Sequence, residues 1–164
     1  MNWDTIIVMG VSGCGKSTVA EEISKRLRWT TIEGDQFHPS HNIEKMKNGI
    51  PLNDDDRFPW LRSIRDEIGR HSTVIVSCSA LKQSYRNILS ENRRCLFVLL
   101  DVSRDELIHR LQNRRDHFFH SSLLDSQLST LEKPKENEGA LIIEVSQSTT
   151  VDTIADRVVQ YLMS

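Results

Sequence analysis

A glycine-rich run near the start of the chain has the composition and spacing of a phosphate-binding loop. Residues 10–17 read GVSGCGKS and match the pattern G-x-x-x-x-G-K-[ST] at every fixed position. In such a loop, backbone N–H groups surround phosphate oxygens, the lysine reaches the β- and γ-phosphates, and the hydroxyl residue ligates Mg²⁺. We therefore expect ATP and Mg²⁺ here, with Lys16 in a catalytic role, Ser17 on the metal and Thr18 near the α-phosphate. The expected ATP-binding residues of this segment are Gly10, Val11, Ser12, Gly13, Cys14, Gly15, Lys16, Ser17 and Thr18.

The hydrophobic pattern around this loop predicts the strand and the helix that would position it. An apolar run at 6–9 ends at Gly10, and Val19, Ile23 and Leu27 recur every four residues, as on the buried face of a helix. A short β-prone piece at 29–32 and three further apolar runs at 73–78, 96–100 and 141–145 also predict strands. Unbroken apolar strands that alternate with helices are typical of a parallel sheet covered on both faces. The sequence therefore predicts an α/β, three-layer P-loop fold with a five-stranded parallel sheet in one domain, residues 1–164.

Helical spacing is recognisable in several further segments. Helices are predicted near 60–68, 81–89, 103–111, 123–131 and 154–162. Ser103 and Glu106 have the spacing of a capping box at the start of the third of these helices. The stretch from 35 to 59 is polar and contains His, Asn, Gly and Pro, so it is predicted to be irregular. A long irregular segment in a compact domain is usually functional.

Composition limits the partners of this chain. Its 164 residues carry a formal net charge of −2, which disfavours binding to nucleic acid or to an anionic membrane. Three cysteines stand far apart without CxxC spacing, so neither a disulfide framework nor a zinc ribbon is indicated. The first residues contain no basic segment followed by a long apolar one. We expect a soluble, cytoplasmic protein with a small-molecule substrate.

Beyond the loop, much of the chain resembles the gluconate kinases, which are relatives of shikimate kinase and the nucleoside-monophosphate kinases. In the first half, the likeness is carried by Glu33-Gly34-Asp35, His38-Pro39, Asn42, Lys45-Met46, Gly49, Pro51-Leu52, Asp54, Asp56-Arg57 and Pro59-Trp60-Leu61. In the second half, it is carried by 78–82, Tyr85-Arg86, Arg114, His117-Phe118, Leu123-Leu124, Ser126-Gln127, 130–132 and Pro134. The resemblance implies ATP-dependent phosphorylation of D-gluconate to 6-phosphogluconate by a cytosolic enzyme, often a homodimer. It also implies a substrate-binding segment at about 35–61 and a mobile lid at about 115–125.

Two carboxylates fit the chemistry that this resemblance implies. A hydroxyl that attacks a γ-phosphate benefits from a carboxylate that accepts its proton, and Asp35 is our candidate. Glu33 lies two residues earlier, as in the acidic pair of shikimate kinase, and is the candidate to hold Mg²⁺ through water. Both residues could instead be solvated loop carboxylates or helix caps.

Arg57 is the candidate for binding the carboxylate of gluconate. A planar guanidinium can hold a carboxylate through two parallel hydrogen bonds. The alternative is an ion pair between Arg57 and a neighbouring carboxylate, Asp54, Asp55 or Asp56.

Two basic pairs and two histidines are further candidates for the site. Lys82 and Arg86 would share a helix face that meets either the substrate and phosphates or the solvent. Arg110 and Arg114 also share a face ahead of the lid, where Arg110 could stack on adenine and Arg114 could reach the transferring phosphoryl group. The alternative for both is a surface arginine, and it has more weight for Arg110 than for Arg114. His38 and His117 are candidates for hydrogen bonds to substrate hydroxyls or to the lid, since no recognised metal-ligand spacing surrounds them.

Two rival functions remain open from the sequence. The first is a related kinase for shikimate, a nucleoside monophosphate or another sugar acid, from which the residues between 38 and 61 distinguish a gluconate kinase. The second is a nucleotide-dependent switch or binding module that orders its loops around a γ-phosphate. The guanine-recognition motif N-K-x-D is absent from the sequence, which disfavours the second.

Overall fold

Five strands form one parallel sheet in the computed structural model, which describes residues 2–112 and 121–164. The strands are β1 Thr5–Met9, β2 Thr30–Glu33, β3 Val74–Ser77, β4 Cys95–Val102 and β5 Ala140–Val145. Their order across the sheet is β2-β3-β1-β4-β5. Every residue of the central strand β1 is buried, which explains why this strand is a continuous apolar run. The predicted five-stranded parallel sheet is confirmed.

Helices cover both faces of this sheet. They are α1 Lys16–Leu27, α2 Ser40–Lys47, α3 Asp54–Ile68, α4 Gln83–Leu89, α5 Arg104–Gln112, α6 Ser121–Thr130 and α7 Val151–Met163, with short 3₁₀ helices at Gly34–Phe37 and Glu136–Glu138. Helix α1 packs beside α7, and α3 packs beside α4. Across the sheet, the chain runs in one direction from β1 to β2 and in the opposite direction from β2 to β3 and on to β4. Because the crossovers between parallel strands are right-handed, this reversal places the two helix pairs on opposite faces of the sheet. None of the helices in the described ranges is long and apolar enough to cross a membrane.

The segment from 35 to 59 is largely helical, and its prediction as an irregular stretch is wrong. It contains α2 and the first turns of α3, which begins at Asp54. Asn53 caps α3, because its side chain accepts a hydrogen bond from the backbone N–H of Asp56 at 2.8 Å, and Asp56 Oδ2 accepts from the N–H of Asn53 at 3.0 Å. Three aspartates in the first turn stabilise the helix, because their negative charges lie at the positive end of its dipole. Pro59 therefore lies inside α3 and does not mark the end of a loop.

The loop after β1 and the carboxyl ends of β2 and β3 meet at one edge of the sheet. Glu33, the last residue of β2, pairs in register with Ser77, the last residue of β3, and Ser77 also pairs with Val8 of β1. The backbone of Gly34 lies against the end of β3, and a Cβ on Gly34 would lie 2.5 Å from the carbonyl oxygen of Ser77. A glycine is therefore required between the two predicted acidic residues, and it brings them beside the phosphate loop.

Candidate active site

The phosphate loop joins β1 to α1, as the sequence predicts, and its lysine faces a cavity. Gly10 adopts a φ of 144°, and a Cβ at this position would lie 2.8 Å from Cys14 Sγ, so a side chain is excluded here. Lys16 is the first residue of α1. Its Nζ donates to the carbonyl oxygens of Gly10 and Val11 at 3.0 and 3.1 Å, and the side chain lines the cavity described below. The ammonium thus lies where phosphates would meet the N-terminus of α1.

Ser17 and Glu33 form a compact group of oxygen ligands beside the loop. Ser17 Oγ donates to Glu33 Oε2 at 2.6 Å, and Ser77 Oγ donates to Glu33 Oε1 at 2.8 Å. Within the described ranges, no three His, Cys, Asp or Glu residues cluster as a metal site. Mg²⁺ needs no such cluster, because it keeps several waters and takes one or two protein oxygens together with substrate phosphates. The hydroxyl and the carboxylate present therefore fit this ion.

A cavity of about 350 Å³ opens next to the loop. Its polar lining includes Lys16, Asp35, His38 and Arg57, and its apolar lining includes Ile43, Met46, Pro51, Leu52, Trp60 and Leu123. Ser12 of the loop and Ser126 and Gln127 of α6 also contribute. Such a mixture of apolar walls with a few convergent charged groups is typical of a small-molecule site. The cavity brings together three of the predicted site residues outside the phosphate loop: Asp35, His38 and Arg57.

His38 is held as a neutral hydrogen-bond donor next to Asp35. Its side chain is 5% exposed and stacks on Trp60, with ring centroids 4.1 Å apart. Burial lowers the pKa of His38 to about 4, with the nearby Arg57 charge acting in the same direction and Asp35 against it. Asn42 Nδ2 donates to the Asp56 carbonyl oxygen at 2.9 Å and lies 3.2 Å from His38 Nδ1. Since Nδ1 then accepts, the ring proton sits on Nε2, which lies 3.9 Å from Asp35 Oδ1.

Arg57 is a buried cation with no acidic partner in the described part of the chain. The residue is 7% exposed, and no carboxylate of residues 2–112 and 121–164 lies within ion-pair distance of its guanidinium. Nη1 donates instead to the hydroxyl of Tyr85 at 3.2 Å. The expected alternative, an ion pair with a neighbouring aspartate, is therefore wrong.

Two of the three aspartates next to Arg57, Asp54 and Asp56, have other partners. Asp56 accepts from Lys45 Nζ at 2.6 Å and contacts His41 Nε2 at 2.6 Å, and the Lys45 hydrogen bond holds the pKa of Asp56 well below its usual range. Asp54 accepts from Lys82 Nζ at 3.1 Å and from the Tyr85 hydroxyl. These contacts leave the charge of Arg57 directed at the cavity.

The structure does not bring Lys82 and Arg86 into the cavity lining. Lys82 precedes α4 as its N-cap residue, so the two side chains do not share a helix face as expected. Arg86 is 1% exposed; its Nε donates to Glu138 Oε1 at 3.0 Å, and its Nη1 donates to the carbonyl oxygen of Ala80 at 2.9 Å. Arg86 has the contacts of a structural residue, and its prediction as a substrate ligand does not fit them.

The remaining predicted residues lie beside the loop or outside the described ranges. Arg110 Nη1 donates to the carbonyl oxygens of Gly13 and Cys14 at 3.3 and 3.2 Å, and its Nε pairs with Glu106 at 3.1 Å. This places Arg110 against the phosphate loop, while its stacking on adenine stays a prediction. Arg114, His117 and the first half of the predicted lid fall in 113–120, outside the described residues.

Sequence reasoning gave no role to Gln127, although this side chain ties α6 to the phosphate loop. Its Oε1 accepts from the backbone N–H of Ser12 at 2.8 Å, and its Nε2 donates to Ser12 Oγ at 3.2 Å. The two residues are 115 positions apart, so no local pattern connects them. Gln127 stood out only as part of the family resemblance.

The phosphate loop, the Mg²⁺-compatible oxygens and the acceptor cavity adjoin one another at the carboxyl edge of the sheet. Fold and site thus define the class, a small-molecule kinase with a P-loop. The family model described as shikimate kinase matches residues 12–163. The probable gluconokinase of Dictyostelium discoideum is 44% identical over 172 residues, covering 96% of this chain and 85% of that protein. The gluconokinase of Gluconobacter oxydans is 42% identical, and the match covers 97% of this chain and 91% of that protein. The chain belongs to the gluconokinases, within the shikimate kinase family.

Solved structures agree with this assignment. A gluconokinase from Sinorhizobium meliloti superimposes with a TM-score of 0.85 at 40% identity, covering 99% of this chain and 97% of that one. A sugar kinase from Janibacter sp. gives a TM-score of 0.90 at 35% identity, covering 98% and 95%. Shikimate kinase from Bacteroides thetaiotaomicron, at 18% identity and a TM-score of 0.68, shares the fold. The predicted fold class and the resemblance to gluconate kinases are confirmed.

Proposed function

We propose that the protein transfers the γ-phosphoryl group of ATP to D-gluconate and forms 6-phospho-D-gluconate, with Mg²⁺ as its metal cofactor. The observation that carries the choice of substrate is Arg57, a buried cation at the wall of the acceptor cavity that donates to the neutral hydroxyl of Tyr85 and forms no ion pair with a described carboxylate. Burying a guanidinium is costly unless a counter-charge reaches it. The carboxylate of an aldonate supplies this counter-charge through two parallel hydrogen bonds. The names of the relatives point to the same substrate.

The other polar groups of the cavity suit the far end of gluconate, where a primary hydroxyl becomes the nucleophile. Asp35 orients this hydroxyl and accepts its proton as the oxygen attacks the γ-phosphorus and the bond to ADP breaks. His38 donates a hydrogen bond from Nε2 to a substrate hydroxyl and, being neutral, adds no charge to the cavity. Lys16 and the loop N–H groups stabilise the negative charge of the transferring group.

The nucleotide side of the proposal uses the loop residues 10–18, Arg110 and the metal ligands. Ser17 would hold Mg²⁺ directly and Glu33 through water, and the ion would neutralise charge on the β- and γ-phosphates. Arg114 and His117 keep their proposed roles at the transferring phosphoryl group and the substrate. On the family resemblance we further propose a single domain spanning 1–164 with a substrate segment at 35–61 and a lid at about 115–125. A cytoplasmic location and a homodimer belong to the same proposal.

The test is an acceptor panel in which the acid is matched to a neutral compound. ADP release is measured with ATP and Mg²⁺ against D-gluconate, sorbitol, shikimate, AMP and no acceptor, and the gluconate product is identified with 6-phosphogluconate dehydrogenase. Sorbitol has the same six-carbon chain but carries a hydroxymethyl group in place of the carboxylate, so it lacks the partner of Arg57. We expect turnover with gluconate, which Lys16→Ala abolishes, and little with sorbitol. Turnover confined to shikimate or AMP, or none with any acceptor, would overturn the proposal.

A further inference from the structure

The hydroxyl of Tyr85 lies between the cation of Arg57 and the carboxylate of Asp54. Tyr85 belongs to α4 and is 1% exposed, whereas Arg57 and Asp54 belong to α3. The Arg57 guanidinium lies 5.6 Å from the centre of the Tyr85 ring, and Phe58 packs edge-on against the same ring, with centroids 6.2 Å apart. The hydroxyl is therefore fixed from several sides.

The number of protons fixes the direction of each hydrogen bond in this group. The ionised carboxylate of Asp54 only accepts, so the single hydroxyl proton of Tyr85 goes to Asp54. The Tyr85 oxygen then accepts from Arg57 Nη1 at 3.2 Å. Asp54 stays ionised, because the hydrogen bonds from Tyr85 and then Lys82 lower its pKa. Burial, together with the bond to Asp54, raises the pKa of Tyr85, so the phenol keeps its proton.

We propose that Tyr85 positions Arg57 for the carboxylate of the substrate and thereby contributes to the selection of acids over neutral polyols. The inference rests on the proposed function. A carboxylate in the place of the Tyr85 hydroxyl would orient Arg57 equally well, but it would neutralise the guanidinium and remove its attraction for the ligand. A neutral hydroxyl orients one N–H and leaves the charge available. The carboxylate of Asp54 binds the Tyr85 hydroxyl and is not hydrogen-bonded to Arg57. Lys82 Nζ lies 3.1 Å from Asp54 Oδ1 and balances the charge of this carboxylate.

The test compares Tyr85→Phe, which keeps the ring and removes only the hydroxyl, with a packing control. For Tyr85→Phe we expect the KM for gluconate to rise about 5- to 20-fold, with kcat and the KM for ATP within about twofold of the wild type. Phe58→Leu removes the ring contact without touching the hydrogen bonds, so it should change the melting temperature and leave the KM for gluconate within about twofold. Asp54→Ala is the second variant, and it should raise the same KM severalfold because the Tyr85 hydroxyl loses its acceptor.

A double-variant cycle separates positioning from general destabilisation. If Tyr85 acts through Arg57, Tyr85→Phe changes the KM for gluconate by less than about twofold once Arg57→Met is present. An unchanged KM in the single variant, or the same rise in both backgrounds, would overturn the inference while leaving the proposed function intact. A wild-type enzyme without gluconate turnover would instead overturn the proposed function, and this inference with it.

Discussion

Replacing Arg86 by Met tests whether this arginine stabilises the fold or binds the substrate. The guanidinium is 1% exposed, its Nε donates to Glu138 at 3.0 Å, and its Nη1 donates to the carbonyl oxygens of Ala80 and Leu81 at 2.9 and 3.3 Å. Methionine fills much of the same volume but leaves these acceptors unpaired. Breaking a buried ion pair from one side costs about 3–5 kcal/mol. We expect a loss of this size in the free energy of unfolding, which lowers the melting temperature of a domain of this size by about 10 °C.

Two assays on the same preparation check this prediction. Urea unfolding gives the change in stability, and steady-state kinetics at a temperature where the variant is folded gives the KM for gluconate. We expect the KM to stay within about twofold of the wild type, because Arg86 lies outside the cavity lining. The double variant Arg86→Met, Glu138→Gln should recover part of the lost stability, since no buried charge is left without its partner. A stability within about 1 kcal/mol of the wild type, together with a tenfold rise in KM, would refute the structural role and restore Arg86 as a substrate ligand.

Three further predictions concern the cavity and the metal group. Arg57→Met should raise the KM for gluconate about 30- to 100-fold and leave the KM for ATP nearly unchanged. The free energy of unfolding should also change little, because Arg57 has no acidic partner in the described ranges to lose. A large loss of stability with an unchanged KM would contradict this prediction. The pKa of His38 is about 4 in the folded protein and about 6.5 in an unfolded chain. Between these pH values the unfolded state binds more protons, so the free energy of unfolding falls as the pH decreases, by up to about 3 kcal/mol at pH 4. Urea titrations between pH 7 and pH 4 should show a shallower fall for His38→Gln, and equal slopes would rule out the buried neutral histidine. Glu33→Gln should raise the Mg²⁺ concentration for half-maximal rate about tenfold, as measured by magnesium titration at saturating ATP and gluconate, and an unchanged requirement would exclude Glu33 from the metal site.

The phosphate loop and the sheet are the features that the sequence predicts best, because their signals are local. The strand β1 is buried at every position, so it stands out as an apolar run, and the loop that follows is a contiguous motif. The start of α3 was missed for a physical reason. Asn53 and the aspartates after it have the composition of a loop, but the reciprocal hydrogen bonds between Asn53 and Asp56 begin a helix there. The side chains of an N-cap and of a turn are of the same kinds, so this composition alone does not distinguish a helix start from a loop.

The partners of charged side chains were the part of the site that the sequence could not predict. Arg86 pairs with Glu138, a residue 52 positions away, and no spacing rule connects the two. For Arg57, three adjacent aspartates made a local ion pair a reasonable alternative. The structure excludes it, because Lys45 lies against Asp56 and Lys82 and Tyr85 lie against Asp54. Asp55 and Arg57, both among the described residues, form no ion pair with each other. Whether a cation forms an ion pair with its sequence neighbours depends on which other side chains the fold brings to them, and the sequence alone does not show this.

The contrast between these two arginines is the strongest physical argument for the choice of substrate. Both are buried, and a buried guanidinium requires compensation. Arg86 receives it from Glu138, whereas Arg57 contacts the hydroxyl and the ring of Tyr85 and has no carboxylate within ion-pair distance among the described residues. If the cavity held a neutral polyol, Arg57 would keep an uncompensated charge in the complex, and binding would have to overcome that cost. If it held an acid, binding would supply the missing partner. The neutral His38 and the neighbouring Asp35 are suited to hydroxyls, so an aldonate provides a partner for these two groups as well as for Arg57.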